Sequence, residues 1–382
     1  MTQYIIRRLI LMIPTLIGVS LLIIFFLRLL PGDAVVDILI SQTEVQGISE
    51  SFKSLVDVEL KKQGFEDPGT APRDARRAVE NQLIDARLKS DGLDPATASP
   101  DKRNVARNDL ALQEYGDVIR RRVGLDKNFI GQWWSWISNA IRGDLGVTLI
   151  GSRPIDAELQ RRIPVSTQLG LLGMVFGVLI ALPTGIVSAV KQDSWVDYAM
   201  RSAAIAMLAL PSFFLATLVI ALAGRWFDYS FPIFYKQLWD DPKTNMELVL
   251  IPGFILGIGL SGTLLRLTRA QMLEVLRQDY IRTARAKGLG ARSVIFGHAV
   301  RNAMIPVITI IGLQVPVLIG GSLVLEQIFG IPGIAQYLLV SILNREFPAI
   351  IAINMVVAVV IVASNLIVDI MYAYLDPRVK LS

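Results

Sequence analysis

Residues Ile163–Val190 read IPVSTQLGLLGMVFGVLIALPTGIVSAV, twenty-eight positions without Asp, Glu, Lys or Arg. About 20 apolar residues in a helix cross the ~30 Å hydrocarbon core of a bilayer, so this run is long enough to span a membrane. Every backbone N–H and C=O in lipid must be paired within the segment, which makes an isolated run of this kind a helix. Five more charge-free runs of 18 or more positions follow the same pattern: Leu9–Leu27, Ser202–Gly224, Leu248–Leu265, Ala303–Leu325 and Phe347–Val368. The whole chain of 382 residues is 53% hydrophobic and only 19% charged, with a mean hydropathy of +0.50. Together these features predict an all-α polytopic membrane protein with six transmembrane helices.

The first run is longer than the apolar region of a signal peptide, and Pro31-Gly32-Asp33 stands where a small-residue cleavage site would lie, so it reads as a retained anchor. Arg28, near its outer end, is placed to snorkel to the headgroups. Orientation follows from the basic residues of the short loops. With the N-terminus inside, 14 Lys and Arg fall in cytoplasmic segments and 4 in short outer loops, which selects an N-in, C-in topology. Eight of the 14 lie between Arg266 and Arg301.

One histidine and no cysteine exclude zinc clusters, iron-sulfur centres, disulfide scaffolds and Cys/His couples. The net charge of +5 is explained by membrane orientation before nucleic acid need be invoked. No Gly-Lys pair occurs, so the chain has no phosphate-binding loop of the G-x-x-x-x-G-K-[ST] type. The six apolar runs also lack the ionisable groups that a proton- or sodium-coupled carrier commonly uses.

Residues 1–33 form the first anchor, 34–162 an extracytoplasmic helical region, and 163–382 a five-helix core with a cytoplasmic loop at about 266–302. Within 43–117 charges recur without a long apolar run. Ala75, Val79, Leu83, Ala86 and Leu88 fit one face of an amphipathic helix, and 104–123 reads similarly. Trp133, Trp134 and Trp136 read as an interfacial aromatic anchor before the second span.

The loop after Arg266 is too long and too patterned for a simple connector. Gln271–Lys287 has no Pro or Gly and ends on Arg285 and Lys287 before Gly288, which predicts a helix with a glycine C-cap. Gly288 and Gly290 permit a bend, and Ser293 begins a second helical run reaching Pro306. Charge alone leaves two readings open: a surface helix on anionic lipid, or a docking element for a partner.

The stretch Asp279-Tyr280-Ile281-Arg282-Thr283-Ala284-Arg285-Ala286-Lys287-Gly288-Leu289-Gly290 resembles the EAA loop of binding-protein-dependent ABC importer permeases, in the form found in the dipeptide, oligopeptide and nickel branch. Agreeing marks are Leu29-Leu30-Pro31-Gly32-Asp33, Gly124-Leu125-Asp126, Gly143-Asp144-Leu145-Gly146, Ala209-Leu210-Pro211-Ser212-Phe213, Glu326-Gln327-Ile328-Phe329-Gly330-Ile331-Pro332-Gly333 and Leu375-Asp376-Pro377-Arg378. Arg282, Thr283 and Ala284 stand where the general signature has Glu-Ala-Ala, and Pro306 lies farther from the glycine than in that signature. The segment 43–117 lies outside the resemblance and is taken as an insertion.

The resemblance implies the type I ABC importer permease fold, a multi-pass protein of the bacterial inner membrane, and no enzymatic activity in this chain. It implies no cofactor here, with ATP and Mg on two separate ATPase subunits. Further partners are a second homologous permease subunit, an extracytoplasmic solute-binding protein and membrane lipid, with no nucleic acid. Asp279, Arg282, Thr283, Ala284, Arg285, Ala286, Lys287, Gly288 and Gly290 would form the ATPase-coupling loop. Pro211, Ser212 and Phe213 are either a tolerated kink or a pathway point; Glu326, Phe329, Pro332 and Gly333 are either an outer turn or a gate. The solute classes left open are peptides, nickel chelates and glycosides. The alternatives are a membrane-embedded enzyme, disfavoured because no span holds an acidic pair or a Ser/His/Asp set, and a stand-alone channel or carrier.

Overall fold

The computed structural model describes residues 2–29, 45–124, 126–149, 153–232, 234–320 and 322–375. The Pro31-Gly32-Asp33 and Asp376-Pro377-Arg378 motifs lie outside them. The chain divides into two compact units, Met1–Ile23 with Leu145–Ser382, and Ile24–Asp144. Helix α1 (Thr2–Leu29) carries the first apolar run and passes from one unit into the other.

In the Ile24–Asp144 unit, α2 (Val45–Lys62), α3 (Arg73–Ser90) and α4 (Pro100–Val123) bury Phe52, Val56, Leu60, Val79, Ile84, Leu88, Ala106 and Ala111 in a core of their own. Their ends are written locally. Ser99 accepts the Lys102 N–H ahead of Pro100, and α4 stops at Gly124 with φ +73°. Val79 and Leu88 are buried as the pattern predicts, whereas Ala86 is exposed and Ile84 takes its place. The reason is that α3 packs on both α2 and α4, so it buries two faces where a single stripe was expected. Helix α5 (Phe129–Ile141), capped by Asn128, completes the unit.

The larger unit is built on two long helices, α6 (Ile155–Val190) and α9 (Pro242–Leu276). A Cβ on Gly173 would meet Leu256, one on Gly177 would meet Leu260, and one on Gly185 would meet Thr268, all closer than 3.0 Å. Gly253 and Gly257 receive Leu172 and Phe176 of α6 in the same manner. Gly173-x-x-x-Gly177 and Gly253-x-x-x-Gly257 thus let the two backbones approach as small-residue pairs do in membranes. The contacts climb in the same direction along both helices, so α6 and α9 are parallel.

Parallel neighbours need a return passage between them. Asp197 hydrogen-bonds Ser188 at the end of α6, while the Gln237 amide donates to the Arg161 carbonyl near its start, so residues 197–237 carry the chain back along the length of α6. The return is made by α7 (Trp195–Ala209) and α8 (Ser212–Phe227), bent by 94° at Leu210-Pro211. The expected third span is therefore a broken one. Pro211 has no N–H to continue the ladder and drives Leu210 out of the helical region, to φ −82°, ψ 116°.

After α9 come α10 (Asp279–Ala286), α11 (Ala291–Ser293), a π-helical stretch Val294–Val300, and α12 (Arg301–Gly320). Then follow α13 (Leu323–Ile328), α14 (Ile334–Leu343) and α15 (Phe347–Leu375). Among the described residues four helical stretches are long and apolar enough to cross a membrane: α6, α9, Ala291–Gln314 and Phe347–Val368. The bent pair makes a fifth passage when taken as one span, and α1 contributes the shorter apolar stretch Ile10–Phe26.

Two expected boundaries move. The helix predicted over Gln271–Lys287 is two helices, because α9 continues to Leu276 and the chain turns at Arg277-Gln278, where Gln278 is extended. The run predicted from Ser293 to Pro306 continues through that proline to Gly320.

Candidate coupling helix and gate

Helix α10 is amphipathic at its own short scale. Ile281 and Ala284, three residues apart, are buried against Met272, Val294, Ala299 and Ala303. Had α9 run straight on, both would have been carried away from that core, and their burial is what the break at Arg277-Gln278 achieves. Asp279 sits in the first turn, where the helix dipole favours it, and the Thr283 hydroxyl donates to its carbonyl at 3.1 Å. The Asn302 amide donates to the Tyr280 hydroxyl at 3.0 Å, tying α10 to α12. Helix α10 gives way at Gly288, whose φ of +80° is the left-handed conformation that glycine adopts without strain. Gly290, at φ −61° and ψ 149°, makes no such demand.

The residues expected in a coupling loop therefore divide by orientation. Asp279, Arg282, Thr283, Arg285, Ala286, Lys287, Gly288 and Gly290 are exposed, while Ala284 faces the protein's own interior. The structure gathers the exposed ones on one short helix and its elbow. The lone His298 is half-buried, and its carbonyl accepts from Asn302.

At α13 the stretch read as an outer turn or a gate is organised by a fully buried carboxylate. Glu326 Oε1 accepts from Ser166 at 2.8 Å and from Ser322 at 2.6 Å, and Oε2 accepts from the Gln336 N–H at 2.8 Å. The Ser166 hydroxyl in turn accepts the Ile334 N–H at 2.8 Å. Gly333 is needed for packing, because a Cβ there would fall on the Glu326 carboxylate. Gly330 takes φ +64°, and the Glu326 carbonyl accepts the Ile331 N–H, closing the loop. Phe329 packs edge-on to Phe231 with centroids 5.3 Å apart, within a core that includes Val165, Leu248, Val249 and Ile331.

Pro211 and Phe213 do not join this cluster. Both are exposed at the bend, and the connection is made farther along α8, where Ala216 packs with Leu325. Pro332 is half-buried in the loop. Nothing in the spacing of the sequence singles out Ser166, 160 residues from Glu326, as its partner. By contrast, the Gly-x-x-x-Gly spacing of α6 and α9, on which no expectation above was built, is a local pattern from which their seam could have been found.

Residues 181–381 match the family described as binding-protein-dependent transport system inner membrane component. A peptide transport system permease protein of Brucella abortus (strain 2308) is 37% identical over 272 residues, 71% of this chain and 87% of that protein. The dipeptide transport system permease protein of Alkalihalophilus pseudofirmus is 36% identical, with 69% of this chain and 85% of the relative covered. The glutathione transport system permease protein of Escherichia coli (strain K12) is 33% identical, with 69% and 84% covered. On the matched core, the apolar helices and the extent of these similarities, the chain belongs to the binding-protein-dependent transport system inner membrane components and is a multi-pass permease subunit of an ABC importer in the inner membrane.

Proposed function

We propose that this subunit, paired with a second homologous permease, passes peptides or a related small solute delivered by an extracytoplasmic binding protein, powered by ATP and Mg on two separate ATPase subunits. Support for the solute class comes from the relatives, whose names specify peptide, dipeptide and glutathione transport. The observation that carries the mechanism is the orientation of α10, whose apolar side is spent on its own chain and whose polar side, Arg282, Thr283, Arg285, Ala286 and Lys287, is left exposed.

Helix α9 supplies a mechanical route. Its Met272 end shares a core with Ile281 and Ala284, and its Leu248, Val249 and Ile255 share another with Leu325, Phe329 and Ile331 of the gate loop. At 1.5 Å per residue, this helix of 35 residues is about 50 Å long. An ATPase that shifts α10 would thereby move the Met272 end of a rigid rod whose other end supports the Glu326 loop. Both termini and α10 would face the cytoplasm.

The test is co-purification with the ATPase subunits followed by reconstitution in vesicles. Wild-type chain should retain the ATPases and support ATP-driven uptake of a labelled dipeptide, and Ala286→Trp should lose both while remaining folded. An impermeant thiol reagent applied outside intact cells should not label Thr283→Cys. Labelling there, or full retention and uptake with Ala286→Trp, would refute the coupling role.

A further inference from the structure

Helix α5 has its amphipathicity turned outward. Ile130, Trp133, Trp134, Ile137 and Ile141 lie within about 100° of one another around a helix of 3.6 residues per turn, while Gln132, Ser135 and Asn139 lie on the opposite side. In a water-facing helix the first group would be inside. Here Ile130 is 68% exposed, Trp134 64% and Ile141 80%, whereas Gln132 is only 4% exposed. The polar side is engaged within the same unit at Ser135 and Gln132, Lys127 donating to Ser135 at 3.0 Å and Gln132 lying against Gly124, while Asn139 is exposed.

The occupant of the outward face is indicated by where the helix begins. Phe129, its first residue, stacks edge-on with Phe25, centroids 6.5 Å apart at 88°. Phe25 is near the end of the apolar run of α1, so the start of α5 is held at the level where the first membrane helix leaves the hydrocarbon. Arg142, the exposed C-cap residue, adds a cation at the other end of the helix. Isoleucines flanking indoles, with a polar side and a basic flank, are the composition of a helix lying in the plane of a bilayer interface.

We infer that α5 is a phospholipid-binding interfacial helix, with Ile130, Trp134 and Ile141 embedded about 5–10 Å into the headgroup and acyl boundary of the leaflet at the Leu27 end of α1. It anchors the Ile24–Asp144 unit to the membrane surface at a second place besides α1. Its occupant is lipid, not another subunit.

The chain has no cysteine, so single nitroxide labels can be placed cleanly. The full chain, reconstituted alone in vesicles of phosphatidylethanolamine and phosphatidylglycerol, is labelled in turn at Ile130→Cys, Trp134→Cys, Ile141→Cys and, on the opposite face, Asn139→Cys. These four positions are exposed, so the labels do not enter a core. Relaxation by oxygen, which concentrates in acyl chains, should exceed relaxation by a water-soluble nickel chelate at the first three, and the ratio should reverse at Asn139→Cys. Chelate-dominated relaxation at all four would overturn the proposal, since the apolar face would then be in water. Exclusion of both relaxants from the first three would also overturn it, in favour of cover by protein.

Discussion

Arg269 on α9 grips Asp197 on α7 with both prongs of its guanidinium, Nε to Oδ1 at 2.7 Å and Nη2 to Oδ2 at 2.6 Å. Asp197 is fully buried and also accepts from the Ser188 hydroxyl at 2.6 Å and the Asp193 N–H at 3.0 Å. One carboxylate thus pins the end of α6, the start of α7 and the lower part of α9. Arg269, counted from sequence among the loop cations that orient the chain, is in place as a structural tie.

Removing one side of that tie leaves a buried charge without its partner, which in comparable sites costs about 3–5 kcal/mol. Arg269→Ala should therefore lower the unfolding temperature in detergent markedly. The double variant Asp197→Leu with Arg269→Met should recover much of the loss, because it buries no charge. A double variant as unstable as the single one would show that the pair contributes geometry that apolar packing does not replace.

Gly257 sits where a Cβ would meet Phe176 Cβ at 2.6 Å and the Gly173 carbonyl at 3.0 Å. Gly257→Val should push α6 and α9 apart, costing at least the roughly 1–3 kcal/mol typical of overpacking. Gly259, whose Cβ would meet nothing within 4 Å, is the control on the same helix. Thermal unfolding of Gly257→Val and Gly259→Ala in one detergent compares them, and only the first should fall substantially.

Glu326→Ala removes three hydrogen bonds and strands Ser166, Ser322 and the Gln336 N–H in a buried site, at about 1–3 kcal/mol for each group left unsatisfied. Glu326→Gln should be milder. The serine hydroxyls can rotate to accept from its amide while the amide oxygen takes the Gln336 N–H. Solute uptake should fall, and chymotrypsin cleavage after Phe329 in the 326–333 loop should rise, in the order wild type, Gln, Ala. Equal behaviour of the two variants would argue against the hydrogen-bonded loop as the source of the effect.

Ala284 and Ala286 separate folding from docking. Ala284→Trp fills a core shared with Met272 and Val294 and should lower thermal stability before any partner is added. Ala286→Trp points outward and should leave stability unchanged while weakening ATPase retention. If Ala284→Trp proves as stable as wild type, the orientation of α10 described above is wrong.

Much was legible in the chain itself. Charge-free runs mark the apolar segments because lipid cannot solvate a charge, and a run's length against the bilayer is a local property. Gly288 announces a helix end because its cause lies within one turn of backbone. The break at Pro211 was also readable as a weak point, since proline's missing N–H is local, though the size of the bend was not. Tertiary structure alone decided which side of α10 is free, that α6 and α9 run parallel, and that Ser166, 160 residues away, completes the site of Glu326. Ile281 and Ala284 turn inward only because Met272 and Val294 are there to receive them. Likewise the apolar face of α5 is revealed as outward only by the burial of Gln132. Periodicity shows that a helix has two faces; what each face meets is set by residues far along the chain.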